Sequence, residues 1–182
     1  MHTTTLARHG MSSVRNGSRW VAFIYFVRRL VPMNTPELSS TEIGKALHRV
    51  FDTQIFNYGA YNLVFASGSS VYANSDVAAQ QQPHQEYFLV GYRDTPREAI
   101  IAPLALPAIE ATGVPTSVDN TNAMRTFIVG DGTYGIELTN GTSFTLRFEP
   151  LMPVETHHGS GVLDQQLDIE DFKRVIIDAW QI

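Results

Sequence analysis

The sequence predicts an α+β fold, in which an antiparallel sheet of about five or six strands is flanked by an N-terminal and a C-terminal helix. Two segments with helical periodicity stand near the ends of the chain, at about 40–53 and about 168–181. Between them, short aromatic and β-branched runs alternate with glycine- and proline-rich turns. Within the predicted meander 125–148, Asn140-Gly141 separates two such runs, which is typical of a β-hairpin with a type I′ turn.

Both helices have recognisable starts. Ser39 is followed three residues later by Glu42, which is the spacing of a capping box. Asp168 is the expected N-cap of the second helix, where its carboxylate can accept from an unpaired backbone amide. Apolar residues then recur at helical spacing and predict one buried stripe on each helix. The stripes are Ile43, Leu47, Val50 and Phe51 in the first helix, and Phe172, Val175, Ile176, Ala179 and Trp180 in the second.

The strands are predicted from runs of aromatic and branched residues bounded by turn residues. They are expected at 60–66, 86–92, 98–102, 125–129, 134–139 and 142–148. The segments 73–86, 103–121 and 149–166 are expected to be connectors, and a short helix at about 104–112 is considered for the second of them. Because the strands are consecutive and the helices are terminal, both helices are expected on one face of the sheet.

Composition excludes several classes of protein. The 182 residues are 43% hydrophobic and 17% charged, which is ordinary globular usage. Without cysteine, the chain has no disulfide, thiolate nucleophile, iron–sulfur cluster or cysteine-ligated zinc. A formal net charge of −5 argues against nucleic-acid binding, which depends on basic residues at phosphates. The longest apolar block, 20–27, is too short to span a bilayer, so no transmembrane segment is expected.

Charge also divides the chain into two parts. Residues 1–36 hold five arginines and no acid, whereas residues 37–182 hold all 18 acids and eight basic residues. We therefore expect a basic N-terminal extension followed by a single α+β domain at 37–182. The extension is open to four interpretations: a disordered or surface-binding arm, a secretory signal, a transit peptide, or a mis-assigned start whose true first residue is Met33.

Two local patterns resemble functional motifs. Residues 130–135 match the glycine pattern of dinucleotide-binding loops, but a strand rather than a helix follows, so a plain hairpin turn is expected and no cofactor is predicted. His157 and His158 stand in a glycine-flanked segment and are the weak candidates for a metal site. Adjacent histidines point in different directions, however, and the i, i+4 spacing of helical zinc sites does not occur.

No motif nominates a catalytic residue, so the sequence favours a non-enzymatic function. We expect a cytoplasmic protein-interaction domain of a chaperone-like, adaptor or immunity type, with a protein partner or a second copy of itself. The element order and acidic body are similar to secretion-chaperone-like α+β folds, a likeness that carries no functional residues. The alternative is a small-ligand binder or small enzyme that uses an aromatic-lined cavity on the sheet, since aromatic residues crowd the segment 56–65.

Overall fold

A computed structural model describes residues 36–56, 59–73 and 86–181, and these lie in one compact unit. The interpretations of the basic extension concern residues outside this part, apart from Pro36. The strands are β1 (Glu37–Leu38), β2 (Asn62–Val71), β3 (Glu86–Asp94), β4 (Arg97–Ala105), β5 (Glu110–Ala111), β6 (Thr116–Asp119), β7 (Ala123–Gly130), β8 (Thr133–Leu138), β9 (Ser143–Arg147), β10 (Leu151–Thr156) and β11 (Gly159–Asp164).

The helices stand at the two ends of the described chain. The first is α1 (Ser40–Gln54). The second, here called the C-terminal helix, has three consecutive segments: α2 (Gln166–Phe172), a π-helical segment (Lys173–Ile177) and α3 (Asp178–Trp180). None of the helices in the described ranges has the length and apolar character that a bilayer crossing requires.

Eight strands of the described chain form one antiparallel sheet. Its strand order is β5-β4-β3-β2-β9-β8-β7, and β6 pairs with β4 beside β5. A smaller sheet has the order β1-β11-β10, in which β1 runs parallel to β11. The α+β class and the meander β7–β8–β9 are thus confirmed, while the number of strands is larger than the sequence indicated.

The central strands are buried on both faces. Along β2, Val64 and Ala66 pack in one apolar cluster, whereas Phe65 between them packs in another. The same alternation runs through β3, where Val90 and Leu89 belong to opposite clusters. Since successive side chains of a strand point to opposite faces, the sheet needs an apolar cover on each side.

The two helices supply these covers from opposite sides. The C-terminal helix contributes Phe172 and Ile176 to the cluster with Val64. Helix α1 contributes Ile43 and Phe51 to the other cluster, together with Met152, Val154 and Leu163 of the small sheet. The expectation that both helices share one face was therefore wrong, because strands with apolar residues on both faces cannot leave either one to water.

The start of α1 is as predicted. The Ser39 backbone N–H donates to Glu42 Oε2 at 2.8 Å, and the Glu42 backbone N–H donates to Ser39 Oγ at 3.3 Å. The hairpin at Asn140-Gly141 is also present, but its type I′ turn is not. Only Gly141 has a positive φ, of 86°, and the loop 139–141 is closed by Leu138 N–H donating to Thr142 O at 2.8 Å. A type I′ turn would require positive φ at Asn140 as well.

Two connectors contain strands that the sequence did not predict. The considered helix at 104–112 is wrong: β4 continues to Ala105, and Leu104 pairs with Ala111 of β5. The expected loop at 149–166 contains the hairpin β10–β11. Its strands include Pro153 and two glycines, Gly159 and Gly161, so their composition is that of a loop, and their buried apolar residues pack in one cluster with those of α1.

The C-terminal helix begins earlier than predicted. Gln165, not Asp168, occupies the N-cap position, and its side chain makes no capping bond. Instead the buried Gln165 amide bonds across to β2: the Phe65 N–H donates to Oε1 at 2.8 Å, and Nε2 donates to Phe65 O at 2.9 Å. Strand β9 pairs with β2 only over Ser67–Val71, so Gln165 replaces the missing neighbour strand at Phe65.

The main sheet is curved, because its opposite edges are joined by a short link. Strand β6 lies on the edge at β4, while β7 forms the other edge, and residues 120–122 connect them. The C-terminal helix is anchored at this corner: Thr126 Oγ1 donates to Ile177 O at 2.6 Å, and Trp180 Nε1 donates to Asn120 Oδ1 at 2.9 Å. The helix therefore lies against the same corner that links the sheet edges.

The close approach of α1 to β3 predicts opposite effects for two glycine substitutions. A Cβ at Gly91 would stand 2.2 Å from Phe51 Cζ, whereas a Cβ at Gly44 of α1 would meet nothing within 4 Å. Gly91→Ala should lower the free energy of unfolding by about 1–3 kcal/mol through overpacking. Gly44→Ala should raise it by about 0.5–1 kcal/mol through helix propensity. Urea unfolding of both variants checks this, and a stabilising Gly91→Ala would contradict the packing.

The Gln165 bonds predict a second difference between neighbours. Gln165→Met keeps the side-chain length but leaves the Phe65 N–H and C=O without their partner, at a cost of about 2–4 kcal/mol in unfolding free energy. Gln166→Met is the matched control, since Gln166 is exposed and bonds only Glu170 at its side-chain nitrogen. Chemical denaturation measures both. Equal midpoints for the two variants would mean that the bonds to β2 contribute nothing.

Candidate functional site

A polar cluster of four side chains is centred on Glu98. The Tyr61 hydroxyl and the Arg93 guanidinium each donate to Glu98 Oε2 at 2.6 Å, and Ser117 Oγ donates to Oε1 at 2.7 Å. Arg93 and Glu98 are cross-strand partners in the β3–β4 hairpin, and Ser117 comes from β6. The guanidinium carbon of Arg93 also lies 4.8 Å from the centre of the Tyr61 ring. The cluster ties the start of β2 to β3, β4 and β6.

The protonation states of this cluster indicate a structural role. Burial opposes ionisation of Glu98, but the hydrogen bonds from Tyr61, Ser117 and Arg93 outweigh it and hold the pKa of Glu98 below its ordinary value. Burial, reinforced by the bond to Glu98 and its charge, raises the pKa of Tyr61 to about 12. Near neutral pH the carboxylate is therefore charged and the phenol neutral, an arrangement suited to an ion pair and not to proton transfer.

A cleft lies where β2 ends, β3 begins and β4 ends, and it is here called the strand-end cleft. It measures about 530 Å³. Its walls include Ser70, Tyr72, Glu86, Tyr87, Leu104 and Leu106, together with residues 112–114 of the β5–β6 link. The Thr112 N–H donates to Pro103 O at 3.2 Å, which fixes the start of that link against β4. The volume of the strand-end cleft lies within the ordinary range for small-molecule sites, about 300–1,000 Å³.

The strand-end cleft has one charged group among its described walls, Glu86. Ser70 Oγ donates to Glu86 Oε2 at 2.6 Å. The two residues are close because Gly68 and Glu86 are cross-strand partners, so Ser70 stands two positions farther along β2. Two phenol rings, Tyr72 and Tyr87, and several aliphatic side chains form the rest.

The aromatic crowding seen in the sequence does not form this cleft. Phe65 is buried in the core, Tyr61 belongs to the Glu98 cluster, and Phe56 is 95% exposed. Tyr58 lies outside the described residues. The cleft residues could have been found from position: Ser70 and Tyr72 end one strand, Glu86 and Tyr87 start the next, and hairpin pairing brings the two ends together.

The motif residues lie in two exposed turns. His157 and His158 form the turn of the β10–β11 hairpin, and both are exposed. In the ranges 36–56, 59–73 and 86–181, no group of three or more His, Cys, Asp or Glu could hold a metal ion. The glycine pattern 130–135 is the β7–β8 turn, with Gly132 at a φ of 66°, and a strand follows it as predicted.

Strand β7 forms an exposed apolar edge of the main sheet. It pairs with β8 on one side. On its other side the described chain offers one isolated bridge, between Thr126 and Gln181. Met124 is 56% exposed, Ile128 62% and Val129 54%. These three side chains, here called the β7 patch, are large apolar groups left in contact with water on one strand.

Comparison with known proteins finds no matching family model, no matching curated protein and no matching solved structure.

The Glu98 cluster predicts a pH-dependent loss of stability. The pKa of folded Glu98 lies below its ordinary 4.5, so its contribution is complete above that pH and is lost as the pH falls through the folded pKa. Glu98→Gln should lower the free energy of unfolding by about 1–3 kcal/mol at pH 7, because Arg93 loses its charged partner. The difference from wild type should shrink towards pH 3.

Urea unfolding of wild type and Glu98→Gln at pH 7, 5, 4 and 3 measures this difference. Glu110→Gln, at an exposed position of β5, is the control and should follow the wild-type curve at every pH. A Glu98→Gln deficit that stays constant from pH 7 to pH 3 would show that the charge of Glu98 is irrelevant to stability.

Proposed function

We propose that this chain is a non-enzymatic protein-interaction domain whose contact surface is the β7 patch. The proposal retains the cytoplasmic location expected from the sequence. The observation that carries it is the exposure of Met124, Ile128 and Val129 on a strand whose outer side makes one isolated bridge within the described residues. Exposed apolar groups clustered on a sheet edge are the usual mark of a surface that another polypeptide covers.

Strand β10, an edge strand of the small sheet, differs from β7 in its protection against pairing with another chain. Strand β10 pairs with β11 on one side and carries Pro153 in its middle. Proline cannot donate a backbone bond, so it protects an edge from pairing with another chain. Strand β7 contains no proline, and Ile128 and Val129 expose apolar side chains to water. The protection that proline gives β10 is therefore absent from β7, where Arg125 is the one charged residue.

The geometry of β7 also favours a type of contact. Its pairing with β8 shifts register twice, between Ala123 and Arg125 and between Ile128 and Gly130. Such bulges interrupt the regular spacing of backbone groups and hinder the addition of a long strand. We therefore expect a partner that meets the β7 patch with apolar side chains, as in the core of an ordinary protein interface. A second copy of this chain or a different protein could provide such a surface.

Charge introduced at the patch should abolish the association. For self-association, light scattering coupled to size-exclusion chromatography of the full chain gives the mass of wild type and Ile128→Lys. For a different partner, quantitative mass spectrometry compares what the two tagged proteins retain from native lysate. We expect a dimer or a near-stoichiometric partner with wild type and at least a tenfold loss with Ile128→Lys, since a lysine would be desolvated in the contact.

Leu167→Lys is the matched control, because Leu167 is 78% exposed on α2 and lies outside the β7 patch. It should associate like wild type. A wild-type monomer that retains no partner, or equal association of Ile128→Lys and wild type, would refute the proposed surface. Equal thermal midpoints of the two lysine variants would confirm that the loss does not come from unfolding.

A further inference from the structure

We infer that Asn140 is a site of spontaneous chemical modification, at which the backbone nitrogen of Gly141 displaces the side-chain amide as ammonia. The products are aspartate and isoaspartate at position 140, in the loop that joins β8 to β9. This loop contains no residue of the β7 patch, and the inference does not rest on the proposed interaction surface.

An asparagine side chain is attacked most readily by the nitrogen of a following glycine, because glycine has no side chain to shield that nitrogen. The sequence contains two Asn-Gly pairs, Asn16-Gly17 and Asn140-Gly141, and the second lies in the described chain. Each of the other described asparagines is followed by a residue with a side chain. These asparagines are Asn62, Asn120 and Asn122.

The reaction consumes water alone. Hydroxide removes the amide proton of Gly141, the nitrogen bonds to Asn140 Cγ, and the Cγ–Nδ2 bond breaks with release of ammonia. Water then opens the five-membered succinimide ring at either of its two carbonyls. One opening leaves aspartate, and the other leaves isoaspartate, in which the main chain runs through Cβ. The net change is that an amide and water become a carboxylate and an ammonium ion.

The turn holds the Asn140 side chain in an arrangement that favours this attack. The Thr142 backbone N–H donates to Asn140 Oδ1 at 2.9 Å. This donor is fixed, since Thr142 is 6% exposed and its carbonyl accepts from the Leu138 N–H at 2.8 Å. When the Gly141 nitrogen attacks, negative charge develops on Oδ1. A donor already aimed at that oxygen stabilises the charge.

The attacking nitrogen is accessible to water and to hydroxide. Asn140 and Gly141 are both exposed. The Gly141 N–H donates to Leu138 O at 3.0 Å, and this bond has to open before the proton is removed. Because the bond lies in an exposed loop, its opening costs little free energy and does not require the sheet to unfold. The reaction can therefore proceed in the folded chain.

The side chains of the two asparagines before β7 are held differently. Asn122 Oδ1 accepts from the Asp119 N–H at 2.8 Å, and its Nδ2 donates to Ser117 O at 2.8 Å. Asn120 Oδ1 accepts from Trp180 Nε1 at 2.9 Å. These bonds fix both side chains to other elements, and in both cases the next residue carries a Cβ. We therefore expect the fold to select Asn140.

The two products differ in their effect on the hairpin. Aspartate keeps a side-chain oxygen for the Thr142 N–H and adds one negative charge. Isoaspartate lengthens the main chain between Leu138 and Thr142, whose mutual hydrogen bond closes the loop. Both of these residues are buried, so a longer loop strains their positions. We expect isoaspartate, and not aspartate, to lower the thermal midpoint of the domain.

Peptide mapping by mass spectrometry tests the inference on the full chain, aged for four weeks at 37 °C and at pH 7.5 or 8.5. We expect amide-to-acid conversion at Asn140, about tenfold faster at the higher pH because hydroxide removes the Gly141 proton. Asn120 and Asn122 should convert at least tenfold more slowly. A synthetic peptide of residues 137–145 gives the rate without the fold, and the folded chain should convert within about tenfold of it.

Two variants separate the site from general ageing. Asn140→Gln keeps an amide but would need a six-membered ring, so it should convert at least about tenfold more slowly and keep its thermal midpoint. Freshly prepared Asn140→Asp carries the added charge alone and should melt like fresh wild type. A lower midpoint in aged wild type, beside an unchanged one in aged Asn140→Gln, would confirm that isoaspartate at position 140 weakens the hairpin.

Two results would overturn the inference. The first is an Asn140 that stays an amide in the folded chain at pH 8.5 while the peptide of residues 137–145 converts. The second is conversion of Asn120 or Asn122 as fast as that of Asn140, which would mean that the hairpin loop does not direct the reaction.

Discussion

The structure depends on one constraint, which is that the central strands β2, β3 and β4 are apolar on both faces. A sheet of this kind cannot expose either side, because each face carries large side chains such as Phe65 on one and Phe88 on the other. Helix α1 with the small sheet covers the first face, and the C-terminal helix covers the second. The π-helical segment serves this cover directly, since it buries Val175, Ile176 and Ile177 in succession. The three layers follow from the need to exclude water from two surfaces at once.

Two polar side chains, Gln165 and Glu98, make hydrogen bonds at places where the regular pairing of strands changes. Where β9 stops pairing with β2, the Gln165 side chain takes over the backbone bonds of Phe65. Where β2, β3, β4 and β6 converge, the Glu98 carboxylate gathers donors from three other residues. Each of these groups is buried or nearly so, and each would be costly without its partners. They fix the places at which regular strand pairing ends, and so they define where the sheet can curve.

The β7 patch and the strand-end cleft both lie at the margins of the main sheet. The β7 patch is at the last strand of the main sheet, where Thr126 Oγ1 donates to Ile177 O of the C-terminal helix. The strand-end cleft is at the end of β2 and the start of β3. The β7 patch is apolar, and its strand contains no proline. The strand-end cleft is concave and holds the Glu86 carboxylate.

The sequence alone determined the features that depend on neighbouring residues. Local hydrogen bonding and periodicity predict the capping box at Ser39, the hairpin at Asn140-Gly141, the turn at 130–135 and both helices. All are present, although the C-terminal helix begins two residues earlier than expected, at Gln166. Tertiary structure decided what depends on distant contacts. The hairpin β10–β11 exists because α1 packs on it, and the helices take opposite faces because the sheet must be covered twice. The Gln165 side chain accepts a hydrogen bond from the Phe65 N–H of β2, one hundred residues away. Ser70 bonds to Glu86 because the pairing of β2 with β3 brings them together. Such contacts carry no local pattern, so only the folded chain can show them.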